Sequence, residues 1–193
     1  VKNNGKRLSA WSHARHDIVE WDVPNWSVAL DYWQEHTACD LPSIHALEIG
    51  SRRGGLSLWL ALCGAHVLCT DIDGPSEIAA EKHFEYGVSR QVEYADLDAL
   101  DIPYAEAFDV VLFKSVLGGI GRGNRKDRQC RAVAEMYRAL KPGGELWFAE
   151  NLVAHHARPQ RGGLHPAQPG RRPGPGSTLA PWISDYFGKI SSN

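Results

Sequence analysis

Residues 46 to 61, Ala-Leu-Glu-Ile-Gly-Ser-Arg-Arg-Gly-Gly-Leu-Ser-Leu-Trp-Leu-Ala, constrain the fold more than any other stretch of the chain. An apolar run ending in Glu48 breaks at Gly50, and beyond Gly54 and Gly55 the apolar period changes. Leu56, Trp59, Leu60 and Cys63 then follow the i, i+3, i+4, i+7 rhythm of one buried helix face. A strand, a glycine turn and a helix start in direct succession gather unpaired backbone N–H groups and a positive dipole end at one point. Glycine there removes the Cβ that would hold a ligand away. This is the arrangement of a nucleotide-binding turn. The dinucleotide form needs a second glycine two residues after the first, where the chain approaches a pyrophosphate, and Arg52 stands there instead.

Further strand-like runs follow at the spacing of an alternating fold. His66-Val-Leu-Cys-Thr-Asp71 ends in an acid about twenty residues after the turn, where doubly wound folds place a carboxylate on ribose hydroxyls. Gln91-Val-Glu-Tyr-Ala-Asp96 also ends in an acid, Phe108 to Phe113 is a buried run, and Leu140-Lys-Pro-Gly-Gly144 is a turn leading into Glu145 to Glu150. The pattern predicts strands near 45–49, 66–71, 91–95, 108–113 and 145–150, with helices near 54–63, 75–86 and 125–140. Such alternation implies a mostly parallel sheet covered on both faces.

The acidic-x-Gly-x-x-x-Gly form of Glu48, Gly50 and Gly54, followed in order by Asp71, Asp96 and the Leu-Lys-Pro-Gly-Gly turn, resembles the class I S-adenosylmethionine-dependent methyltransferases over roughly residues 44 to 151. The resemblance implies an α/β, doubly wound Rossmann-like sheet and S-adenosyl-L-methionine as cofactor. It places Glu48, Gly50 and Gly54 in the binding turn, Asp71 on the ribose and Asp96 on the adenine amino group. Ile72 and Leu97 become the neighbouring apolar and backbone contacts, and the Lys114 backbone meets the methionine end. The expected activity is in-line methyl transfer to a small-molecule acceptor. Two other readings stand beside it: a catalytically inactive fragment or scaffold that binds the cofactor or its demethylated product, and an NAD-dependent oxidoreductase, which Arg52 disfavours.

Composition narrows the remaining possibilities. With 193 residues, 43% hydrophobic and 23% charged, the chain can bury one ordinary core. A formal net charge of -2 argues against bulk nucleic-acid binding. No apolar run approaches the roughly 18 to 20 residues of a membrane helix, and no signal-like segment follows the basic amino terminus, so a cytoplasmic location is expected. Cys39, Cys63, Cys69 and Cys130 lack C-x-x-C spacing and read as reduced thiols. His13 with His16, and His155 with His156, lack a third ligand at metal spacing, so no metal is expected. His155 and His156 lie just past the last core strand, where an imidazole serves either as a base or as a solvated loop residue.

The chain divides into an arm and Trp-rich helix (1–43), the cofactor-binding core (44–153), a Gly/Pro/Arg-rich linker (154–178) and a short helix with a terminal strand (179–193). Residues 1–20 are polar and read as a loose arm in which Trp11 stands out, and Pro24 to Glu35 reads as a helix. Trp11, Trp21, Trp26 and Trp33, of seven tryptophans in all, crowd this leading part. They either pack it onto the sheet or form a lid over the cofactor. The cations Arg122, Arg125, Lys126, Arg128 and Arg131 either meet an acidic acceptor or form a solvated face. Ala157 to Gly176 is rich in Gly, Pro and Arg and predicts a disordered linker, a sheet lacking its final antiparallel strand, and a chain that is a fragment or frame-altered there. Weak or absent catalysis and an exposed, association-prone sheet edge would follow.

Overall fold

The computed structural model describes residues 11–75 and 77–150 and the backbone of 170–171. The expectations for residues 1–10, for His155 and His156, and for most of the segments after Glu150 therefore lie outside the described residues. Five parallel strands form the sheet: β1 (His45–Glu48), β2 (His66–Asp71), β3 (Val92–Asp96), β4 (Phe108–Lys114) and β5 (Leu140–Ala149). Their spatial order is β3-β2-β1-β4-β5, with a two-residue β6 (Gly170–Arg171) antiparallel to β5 at Glu145 and Leu146. This pair falls inside the segment 157–176 expected to be a linker. Among the described residues it is all that stands for an antiparallel edge strand.

The chain adds strands outward from β1 on one side and then from β4 on the other, so the order reverses between these two. Connections leaving β1 and β4 diverge to opposite faces and open a crevice at the strands' carboxyl ends. Six helices accompany the strands among the described residues: α1 (Arg15–Val19), α2 (Val23–His36), α3 (Gly55–Leu62), α4 (Glu77–Glu85), α5 (Leu117–Ile120) and α6 (Lys126–Ala139). Side chains that alternate along the strands feed two cores. Ala46, Val67, Cys69, Val110, Leu112 and Trp147 face α1, α2 and α3, whereas Leu47, Leu68, Val111, Phe113 and Phe148 face α6 and the 97–102 segment.

The leading segment departs from the loose arm read in the sequence. Residues 12–19 are helical, and Trp11, Ala14, Ile18 and Val19 are wholly buried. A five-residue helix is too short to show a period, so its buried face is set by what it touches. That surface is α3, at a glycine: a Cβ on Gly55 would come within 2.0 Å of the Ile18 carbonyl oxygen. Beyond it, Trp33 stacks on Trp147 at 6.1 Å, while Trp59 lies 6.1 Å from Trp11 and 6.0 Å from Trp147. Trp11, Trp26 and Trp33 are therefore packing residues. Trp21, 37% exposed, is the exception.

Candidate cofactor site

The turn after β1 is built by Glu48, whose side chain is buried beneath the start of α3. Its two carboxylate oxygens accept from Ser57 N at 2.7 Å, from Leu56 N at 3.3 Å and from the Ser57 hydroxyl. These are donors that a helix start leaves unpaired. Burial pushes the Glu48 carboxyl up to about 7, against the pull of those donors and of the Lys114 charge. Glu48 thus lines the crevice while its hydrogen bonds fix the turn. Gly50 takes a positive φ of 64°, and a Cβ there would meet Val116 at 2.7 Å. Gly54 is also at positive φ, but its missing Cβ makes room for His83 of α4 rather than for a ligand. The His83 ring spans from the Gly54 carbonyl oxygen at 2.8 Å to the Tyr94 hydroxyl at 2.7 Å. Burial holds its pKa below the usual value.

Asp71 and Asp96 end neighbouring strands at the same register position, side by side on the open rim of the sheet. Asp71 accepts from Arg52 N at 2.8 Å with one oxygen and from Ile72 N at 2.8 Å with the other. Each oxygen has a second lone pair for a ligand hydroxyl. The Leu97 amide donates to the Asp71 carbonyl at 2.8 Å, tying the two strand ends together. Asp96 is exposed, and Ile72 shows 60% of its surface to solvent, an apolar side chain waiting beside two acids.

Lys114 ends β4 and is half-buried. Its ammonium donates to the Val19 carbonyl oxygen at 2.5 Å and lies 3.6 Å from the centre of the Trp21 ring. Burial lowers its pKa to about 8, opposed by the charges of Glu20 and Glu48. Ser115 follows at a positive φ of 59°, and the Val116 and Leu117 amides both donate to Glu150 Oε1 at 2.6 Å. Glu150 is held above the usual carboxyl range by burial. It caps this turn much as Glu48 caps the other.

Between the two turns lies a cavity of about 230 Å³, roofed by Ile18, Glu20 and Trp21 and floored by Glu48, Gly50, Leu56 and Lys114. The structure therefore brings Glu48, Gly50 and Lys114 together, sets Asp71, Ile72, Asp96 and Leu97 along the adjoining rim, and places Gly54 in helix packing. Sequence reasoning missed Glu20 and Arg52 as cavity residues. Arg52 had drawn notice only as a broken glycine pattern, and Glu20 carried no signal. Arg122, Arg125, Lys126, Arg128 and Arg131 do not line the cavity. Arg125 pairs with Asp127 at 3.2 Å at the exposed start of α6. Among the described residues, no three His, Cys, Asp or Glu side chains converge as a metal set, and no helix is long and apolar enough to cross a membrane.

Comparison with known proteins agrees with this fold. The ubiquinone biosynthesis O-methyltransferase of Hahella chejuensis is 31% identical over 121 residues, covering 62% of this chain and 48% of its own. The ubiquinone/menaquinone biosynthesis C-methyltransferase of Methylococcus capsulatus is 28% identical over 148 residues, covering 71% and 57%. The chain thus spans about half the length of these relatives. Among solved structures, the [4+2]-cyclase SpnF superposes with a TM-score of 0.53 at 27% identity, over 64% of this chain and 44% of that one. The family model described as a methyltransferase domain matches residues 47–148, from within β1 to near the end of β5. With that match across the sheet and both turns, the chain belongs to the class I S-adenosylmethionine-dependent methyltransferase family.

Proposed function

We propose that this chain transfers the methyl group of S-adenosyl-L-methionine to a small, aromatic, quinone-type acceptor. The observation that carries the reading is the continuity of the site. The cavity between the Gly50 and Ser115 turns is lined by Arg52, whose amide donates to Asp71 at 2.8 Å, and Asp71 stands in register with Asp96 on the rim. A cavity of about 230 Å³ is below the roughly 300–1,000 Å³ that encloses a whole drug-sized ligand. It suits one end of the cofactor, with the nucleoside lying along the rim on Ile72. The chemistry of the rim fits: its two carboxylates would accept from the ribose hydroxyls and the adenine amino group, and the exposed Ile72 side chain would meet the ring. The names of the two relatives support the acceptor class, and they differ in the atom methylated, oxygen in one and carbon in the other.

The bound cofactor supplies a sulfonium methyl group already activated toward a nucleophile. What remains for the protein is to orient the partners and keep water out, and orientation alone contributes roughly 7 to 11 kcal/mol in favourable cases. Glu48 and Glu150 hold the two turns rigid through helix-start amides. Trp21 and Leu56 close the cavity with apolar surface, and Asp71 fixes the nucleoside end. A phenolic acceptor near its own pKa needs little help with its proton, so a dedicated base is not required of the described residues.

The test begins with thermal shift against S-adenosylmethionine, S-adenosylhomocysteine and NAD. A ligand at 100 times its Kd adds about 2.7 kcal/mol, or roughly 5 to 10 °C for a chain of this size. Stabilisation by the first two and not by NAD is expected. Labelled methyl transfer to catechol and hydroquinone acceptors then checks the activity. Stabilisation by NAD alone would overturn the cofactor reading, and tight cofactor binding with no transfer to any acceptor would favour an inactive scaffold.

A further inference from the structure

His83 does not line the cavity, yet it grips the turn that does. The residue is wholly buried on α4, with its ring between the turn after β1 and strand β3. Nε2 lies 2.8 Å from the Gly54 carbonyl oxygen, and Nδ1 lies 2.7 Å from the Tyr94 hydroxyl. A carbonyl oxygen only accepts, so Nε2 carries a proton. Burial, joined by the Lys82 charge and opposed by the Gly54 hydrogen bond, holds the ring below its usual pKa and therefore neutral near pH 7. A neutral ring protonated at Nε2 has an acceptor at Nδ1, and the Tyr94 hydroxyl donates to it. The two neighbours together select one tautomer.

What the imidazole holds is a strained turn. Gly54 N donates to the Ser51 carbonyl at 2.8 Å, closing residues 51–54, and Arg52 inside it takes a positive φ of 52°. A residue with a side chain keeps such a conformation only where its surroundings over-determine it. The start of the turn is tied to β2, where Ser51 N donates to the Thr70 carbonyl at 2.8 Å. The far end is fixed at the Gly54 carbonyl, which accepts from Leu58 N at 2.9 Å on one lone pair and from His83 on the other. Held at both ends, the turn aims the Arg52 amide at Asp71 Oδ2, 2.8 Å away. Tyr94 anchors the ring from the strand that carries the second rim acid, two residues before Asp96 and on the same face.

We infer that His83, kept in its Nε2–H form by Tyr94, is a positioning residue for the nucleoside end of the cofactor. It acts through the Gly54 end of the turn on the Arg52 amide that orients Asp71. This rests on Asp71 being a cofactor ligand.

Calorimetry with S-adenosylhomocysteine on the full chain tests it, with urea unfolding to show that each variant is folded. His83→Phe keeps a ring beside Gly54 but neither hydrogen bond, and should lower affinity about threefold to tenfold, the worth of one lost hydrogen bond. His83→Gln, whose amide can donate to Gly54 and accept from Tyr94, should recover most of that loss. Coupling to Asp71 separates positioning from general loosening: in an Asp71→Ala background, His83→Phe should cost less than about twofold more. Nitrogen NMR of the ring should show the Nε2–H tautomer in the wild type and a mixture in Tyr94→Phe. If His83→Phe does not fold, Tyr94→Phe carries the same comparison from a partly exposed position, with a smaller loss that Asp71→Ala again removes. A folded His83→Phe with wild-type affinity, or a loss of equal size with and without Asp71, would overturn the inference, as would a ring protonated at Nδ1 alone. If S-adenosylhomocysteine does not bind the wild-type chain, the cofactor reading falls and this inference with it.

Discussion

Gly55→Ala probes how the leading segment is attached. Gly55 does not need a positive φ, so alanine is conformationally welcome there and, taken alone, stabilises a helix by up to about 1 kcal/mol. The obstacle is contact: the new Cβ would sit 2.0 Å from the Ile18 carbonyl oxygen, 2.9 Å from the Ile18 carbonyl carbon and 3.2 Å from the Asp17 carbonyl oxygen. All three are backbone atoms of α1, so no side-chain rotation relieves the clash and α1 has to move. Overpacking of this kind costs about 1 to 3 kcal/mol, and with backbone atoms in the way the upper end applies, leaving a net loss of about 2 kcal/mol. For a chain of this size that is roughly 4 to 8 °C in Tm. The displacement also carries Val19 and Trp21 away from Lys114, so S-adenosylhomocysteine affinity should fall with stability. Urea unfolding followed by tryptophan fluorescence measures the first, and calorimetry the second. A variant as stable as the wild type, with unchanged affinity, would refute the packing of α1 on the α3 start.

Two further outcomes follow from the site. Asp71→Ala removes a paired acceptor from the rim and should weaken S-adenosylhomocysteine binding by about 2 to 3 kcal/mol; equal affinity in a folded variant would take Asp71 out of the site. Glu48 is raised to about 7 from 4.5, so between those values the folded state binds more protons than the unfolded one. Its contribution to stability is full below about 4.5 and is lost as pH rises through 7. The difference in urea midpoint between wild type and Glu48→Gln should therefore change across pH 5 to 8, and a pH-independent difference would contradict the burial of this carboxyl.

The sequence by itself determined the sheet. Short apolar runs, several of them ending in an acid, the glycine turn and the period-3.6 face of α3 are local patterns, and they placed the five parallel strands and the three helices that follow within a few residues of where they lie. Only β5 began clearly earlier, at Leu140, because the Pro-Gly-Gly turn joins the ladder with β4 through an irregular register. Asp71 and Asp96 were legible for the same reason, since a strand end is a local feature and parallel register sets neighbouring ends side by side. The tertiary structure decided the rest, where the partners are remote in sequence. Gly54 reads as a ligand glycine until His83, 29 residues away, fills the space beside it. Glu48 reads as an acid of the binding turn, and only the fold shows that its oxygens also hold the start of α3 while it lines the cavity. Lys114 offered only a backbone contact until the leading segment, 95 residues earlier, folded back to lay Val19 and Trp21 on its ammonium. Periodicity reports which face of an element is buried. It does not report which distant group covers that face, and at this site the distant groups set the charge, the strain and the roof of the cavity.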